Sequence, residues 1–198
     1  MRTPHPNFIV GIGGSAGGLS AYKSLLDGLP PNTGMAFVFV SHIFPTANSQ
    51  LAKILSNHTK MPVMVASTAM VIRANHVYVI PPNADLLIES HAFKVISPRS
   101  RRNEQIDLFL ISLAEAMKTR AIGIILSGYD GDGAVGCKHI KAKGGTTFAQ
   151  DTSAEVDDMS LSAQATNCVD FVLSPGKISD ELQRLANFSI NKKSDAAH

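Results

Sequence analysis

A serine in one glycine-rich turn, a histidine closing an apolar run and an aspartate in a second glycine-rich loop are side chains that together can do nucleophilic chemistry. The segment Gly11-Ile-Gly-Gly-Ser-Ala-Gly-Gly18 contains Gly13-x-Ser15-x-Gly17. In that spacing small neighbours let a serine sit on a sharp strand-to-helix turn, hydroxyl exposed and amide N–H groups close by. The same segment contains Gly11-x-Gly13-x-x-Ala16, which fits a dinucleotide fingerprint. That reading wants an acid at the end of the second strand to hold a ribose. The second apolar run ends Val40-Ser41-His42, so the acid is missing, although either glycine pattern alone also suits a purely structural turn.

His42 stands where an open parallel sheet places its ligand crevice, at the carboxyl end of a strand. His58, His76, His91 and His139 fall instead on helices or hairpins. A histidine in that place can also simply cap a strand. Asp132 lies in Ser127-Gly-Tyr-Asp-Gly-Asp-Gly-Ala134, between a buried run and the next helix, and so reaches the same sheet edge. Asp130 competes with it for an acid role, and either aspartate could instead be a helix N-cap. The loop lacks the third oxygen ligand and the distal Glu of a calcium-binding loop, so no metal is expected. A nucleophile, a base and an orienting acid at the ends of three strands make a joint reading stronger than its parts. The chain order Ser, His, Asp differs from the Ser, Asp, His of α/β-hydrolases.

The elements that must position these groups follow from periodicity. Phe8 to Ile12 reads as a strand, Leu19 to Leu29 as a helix with Leu19, Tyr22, Leu25, Leu26 and Leu29 at helical spacing, and Met35 to Val40 as a strand covered on both faces. A helix is expected from about Ser49 to Asn57. Between Pro62 and Ile96 the pieces VMVA, HVYVIPP, DLLIES and AFKVIS, with turns at Asn83-Ala84 and Ser90-His91, predict a strand plus a hairpin. PRSRRNE is a polar loop before a helix over Ile106 to Lys118. The run AIGIILSG is a buried strand, followed by a helix to Lys143, strand TTFAQ, a helix over Met159 to Thr166, strand CVDFVL, and a closing helix from Pro175 to about Ala186. The fold class expected is α/β: a doubly wound, mainly parallel sheet with helices on both faces and a small β-hairpin excursion. Residues 1–188 are expected to form one domain and 189–198 a disordered tail.

At 198 residues with 44% apolar side chains the chain can fill one core, and its net charge of +2 supplies no broad field for nucleic acid or anionic membrane. Cys137 and Cys168 have no metal-ligand spacing and read as buried thiols in a reducing cytoplasm. No stretch approaches a membrane span, and the N-terminal apolar run is too short for a signal peptide.

With these residues in hand, the chain resembles the catalytic domain of CheB-type protein-glutamate methylesterases over roughly Phe8 to Leu185. The ordered series IVGIGGSAGGL, FVFVSHIFP, HVYVIPPNADLLI, QIDLFLISLAEA, AIGIILSGYDGDGAVG, GGTTFAQD and CVDFVLSP carries the likeness. LPPNTGMAFVFVSH is most similar to methylesterase domains joined to a methyltransferase in CheB/CheR fusions. The resemblance implies Ser15, His42 and Asp132 as a triad, with Asp130 left as loop. It implies hydrolysis of glutamate methyl esters on the cytoplasmic helices of methyl-accepting chemoreceptors, with glutamine deamidation in some members and no cofactor. It implies a CheR-type methyltransferase or a receiver domain as a partner, although neither lies within these residues. Ala16, Gly128 and Tyr129 are expected to support an oxyanion. Arg99, Arg101, Arg102 and Met159 are expected at the substrate rim, although a basic run is commonly just a solvated loop. The likeness breaks at Tyr129-Asp130, where family members often carry Met or Thr followed by Gly, and at Ser160, where Pro usually stands. Two other readings stay open: a triad hydrolase acting on a different ester or acyl group, and a non-enzymatic nucleotide-binding or scaffold module.

Overall fold

The computed structural model describes residues 5–42 and 48–195. Seven parallel strands form one sheet in the order β3-β4-β2-β1-β7-β8-β9. They are β1 (Ile9–Gly14), β2 (Ala36–Ser41), β3 (Val63–Val65), β4 (His76–Val79), β7 (Ala121–Ile125), β8 (Thr146–Gln150) and β9 (Phe171–Leu173). The helices are α1 (Gly18–Asp27), α2 (Asn48–Leu55), α3 (Gln105–Met117), α4 (Ala134–Ala142), α5 (Asp158–Gln164) and α6 (Pro175–Asp195). The α/β class and its mainly parallel sheet are therefore as the sequence predicts.

Strand alternation divides the interior into two cores. In β2, Ala36, Val38 and Val40 pack with Ile106, Phe109, Leu110 and Leu113 of α3. Phe37 and Phe39 of the same strand pack with Tyr22 and Leu25 of α1, Leu51 of α2 and Ile178 of α6. A continuous apolar run has this property because successive side chains point to opposite faces and both faces are covered. Fully burying a phenylalanine contributes roughly 1.5–3 kcal/mol, so β2 is an expensive element to disturb and a firm base for the residue that follows it, His42.

The small excursion is a two-stranded antiparallel hairpin of β5 (Asp85–Glu89) and β6 (Ala92–Ile96). Its two-residue loop, Ser90 and His91, has φ of 50° and 65°, the paired positive values that suit the twist of a tight hairpin. β3 and β4 both join the main sheet, giving one more sheet strand than the single one read from VMVA and HVYV. β1 reaches Gly14, two residues past the apolar run, because pairing of Gly13 with Val40 and Gly14 with Ser41 needs only backbone. α6 runs to Asp195 rather than ending near Ala186, so residues expected in a disordered tail continue a helix. Propagating an existing helix costs far less than nucleating one. Cys137 is buried, but Cys168, expected to be buried as well, is half-buried in the loop before edge strand β9.

Candidate active site

β1 leads to β2 on one side, and the chain returns to place β7 on the other, so the carboxyl ends of β1 and β7 bound the switch point where open α/β sheets bind ligands. Ser15 and His42 each follow a paired position, Gly14 opposite Ser41, and so leave neighbouring strands about 4.8 Å apart. The Ser15 N–H donates to the Ser127 carbonyl at 2.9 Å, and the Ser15 carbonyl accepts from the Gly18 N–H at 3.0 Å. The first bond fastens the turn after β1 to the turn after β7, and the second closes the β1 turn on itself. Ser127, passed over in the sequence, strengthens the fastening. Its hydroxyl donates to the Ala16 carbonyl at 2.8 Å and accepts from the Val156 N–H at 2.9 Å. Gly17 has φ 70°, and a Cβ there would lie 2.7 Å from both Glu155 Cβ and Ser127 Oγ, so both strain and space require glycine.

Asp132 Oδ2 lies 2.5 Å from His42 Nε2, with side-chain exposures of 0% and 6%. The aspartate also accepts the Ile106 N–H at Oδ2 (3.0 Å) and the Asp107 N–H at Oδ1 (2.8 Å). These amides belong to the first turn of α3, whose own N-cap, Glu104, makes no side-chain cap. Asp132 thus satisfies orphan helix donors while fixing the imidazole. Asp107 repays the contact: its Oδ1 accepts the N–H groups of Gly133 (2.9 Å) and Gly136 (2.7 Å) at the start of α4. Burial pushes the Asp107 carboxyl above its ordinary value, against the pull of those amides.

Both aspartates reach His42. Asp130 Oδ2 lies 3.7 Å from His42 Nδ1 with its side chain 34% exposed, beyond hydrogen-bond distance. Its Oδ1 accepts the Asp132 N–H at 2.9 Å, and its Oδ2 accepts from Asn103 Nδ2 at 3.0 Å. Within the loop, Asp132 makes the short contact and Asp130 the long one.

A sequence model described as CheB methylesterase matches residues 10–182. The chain belongs to the CheB methylesterase family. A putative protein-glutamate methylesterase/protein-glutamine glutaminase of Leptospira interrogans is 36% identical over 186 residues, covering 92% of this chain and 96% of the relative. A protein-glutamate methylesterase/protein-glutamine glutaminase 2 of Burkholderia pseudomallei is 32% identical over 178 residues, 88% of this chain but 52% of that protein. The crystal structure of the Thermotoga maritima CheB methylesterase catalytic domain superposes with a TM-score of 0.83 at 28% identity, over 90% of this chain and 98% of that one.

Against this CheB fold, the residues expected to support an oxyanion separate. The Gly128 N–H is committed to the Val156 carbonyl at 3.0 Å, so Gly128 supports the loop rather than offering its amide. A Cβ there would meet Met159 Cε at 2.8 Å and Ser15 Cβ at 3.1 Å. Ser15 and Gly18 have also spent their amides, whereas those of Ala16, Gly17 and Tyr129 stay outside that hydrogen-bonded framework. Tyr129 is 60% exposed beside the site. Met159, expected at the rim, is fully buried; its thioether fills the space behind Gly128 because the loop glycine leaves room for it. Arg101 and Arg102 are exposed and Arg99 half-buried. Arg101 pairs with Glu104 at 3.1 Å. Their loop is pinned by buried Asp85, which accepts the Ser100 N–H at 2.7 Å and its hydroxyl at 2.6 Å. The segment 43–47 that continues FVFVSHIFP lies outside the described residues.

Proposed function

We propose that this chain hydrolyses methyl esters of glutamate side chains on chemoreceptor cytoplasmic helices, with Ser15 as nucleophile, His42 as base and Asp132 as orienting acid. The single observation that carries the residue roles is the buried 2.5 Å contact between His42 and Asp132 at the strand end beside Ser15. The substrate class rests on the family and on the names of its relatives. In this reading the Ser15 hydroxyl oxygen attacks the ester carbonyl carbon and its proton passes to His42. Asp132 occupies Nε2, so Nδ1 is the nitrogen that takes the proton. The tetrahedral intermediate collapses, the proton goes to the departing methoxy oxygen, and methanol leaves. Water, deprotonated by the same nitrogen, then attacks the acyl-enzyme; the bond to Ser15 breaks, the proton returns to the Ser15 oxygen, and the glutamate carboxylate leaves. The amides of Ala16, Gly17 and Tyr129 are the donors available to the oxyanion, and those ahead of α1 add the positive end of a helix. An amide in place of the ester loses ammonia by the same path, which gives glutamine deamidation. No step calls for a cofactor.

The proposed macromolecular partner is the receptor helix, and by resemblance a receiver or CheR-type methyltransferase domain is the proposed regulatory one. The proposed place of action is the cytoplasm. Among the described residues no helix is long and apolar enough to cross a membrane.

Methanol release from a methylated receptor fragment tests the reading. Ser15→Ala, His42→Ala and Asp132→Asn are expected to lower kcat by about 10³–10⁴ or more while leaving KM near the wild-type value. Full activity in Ser15→Ala would sink the mechanism. A wild type inert on receptor whose Ser15 still reacts with a fluorophosphonate would sink the substrate assignment alone.

A further inference from the structure

The carboxylate beside the other ring nitrogen of His42 has no part in the reaction as described. Asp130 occupies the place at which the family likeness breaks. Its φ of 68° is a left-handed backbone that residues with a Cβ rarely adopt and that aspartate tolerates through local hydrogen bonds. Both its oxygens are held, Oδ1 by the Asp132 N–H and Oδ2 by Asn103. The side chain is therefore aimed rather than free, and it is aimed at Nδ1, 3.7 Å away.

We infer that Asp130 is a second positioning carboxylate for His42, acting on the charged ring that forms when Ser15 gives up its proton. This rests on the triad proposed above and deepens it. During acylation the Ser15 O–H bond breaks, its proton joins Nδ1, the new O–C bond forms, and the carbonyl π pair moves to oxygen. While the ring is neutral, Nδ1 offers a lone pair from which a carboxylate gains nothing. Once protonated the ring carries a positive charge that Asp130 faces at 3.7 Å, while the Nδ1 proton serves the reacting oxygens and Asp132 holds the opposite nitrogen. An interaction present in the transition state and absent from the ground state raises kcat rather than lowering KM. A third of the side chain is in solvent and Asn103 shares its oxygen, so the gain is expected at about tenfold, well below that of Asp132.

Two variants separate charge from backbone. Asp130→Asn keeps the shape, an acceptor for the Asp132 N–H, and tolerance of positive φ. Asp130→Gly removes the side chain and is at ease with that φ. With a methylated receptor fragment, kcat is expected to fall about tenfold in both, with KM within about twofold and, in Asp130→Asn, an unchanged Tm. Wild-type kcat in both variants, or a loss confined to KM, overturns the inference. Fluorophosphonate labelling of Ser15 follows the same proton transfer without any receptor, and its rate is expected to fall by a similar factor. Equal labelling rates in all three proteins overturn the role of Asp130 while the proposed function stands; absence of labelling in the wild type removes both.

Discussion

A methyl group added at Gly128 would sit 3.1 Å from Ser15 Cβ and 2.8 Å from Met159 Cε. The thioether is the flexible end of a side chain and can give way, but Ser15 is fixed through both its N–H and its carbonyl. Gly128→Ala is therefore expected to displace Ser15, the proposed nucleophile, and a shift approaching 1 Å costs on the order of 10²-fold in rate. Methanol release with Tm followed in parallel checks it: a large fall in kcat with Tm nearly unchanged is expected, and equal damage to both would make Gly128 a folding residue instead. At this scale the placement of Ser15 and His42 at neighbouring strand ends and of Asp132 beside His42 was legible in sequence, because each closes or follows an apolar run. The commitment of the Gly128 amide to Val156 was not, since the two are far apart in the chain and no local pattern ties them. The burial of Met159 behind Gly128 was hidden for the same reason.

Reciprocal capping joins the elements that hold the acid. Asp132, ahead of α4, caps α3, and Asp107, on α3, caps α4. Losing such a cap costs about 1–2 kcal/mol. At about 2–4 °C per kcal/mol for a domain of this size, Asp107→Ala should lower Tm by roughly 2–8 °C, and kcat with it, since the loop carrying Asp132 loosens. A Tm equal to wild type would refute the coupling. The Asp107 carboxyl is raised by burial, so its protonated form is favoured in the folded state relative to the unfolded chain. Its contribution is then fully present below the ordinary carboxylate range and declines as pH rises through the raised value. The Tm advantage of wild type over Asp107→Asn should shrink as pH rises above the ordinary carboxylate range; an advantage that grows with pH would reverse the sign. Apolar runs and helical spacing disclosed the strands and helices. Reciprocal caps between loops some 25 positions apart leave no periodic trace, and an aspartate in the first turn of α3 reads equally well as a charge placed on the helix dipole.

The sheet with a core on each face makes the interior of the molecule depend on all its layers staying docked. Cys137 on α4 is fully buried against α3 and the sheet. Burial, the largest cause, pushes its thiol up to about 12, and a thiol without thiolate character does not react. Cys168 is half-buried at the edge where β9 ends the sheet, a distinction composition alone could not make. A thiol reagent at about pH 8 should therefore modify Cys168 in the folded protein and reach Cys137 only through opening, at a rate set by the stability of the α4 layer. If that opening is global, denaturant should accelerate Cys137 labelling with the slope of overall unfolding. The loop bearing Asp130 and Asp132 leads straight into α4, so a Cys137 that reacts with a shallower slope would mean that α4 detaches alone. Asp132, the acid of the proposed triad, would then be mounted on the least stable layer of the fold, and labelling of Cys137 should slow when a phosphonate adduct on Ser15 locks that loop in place.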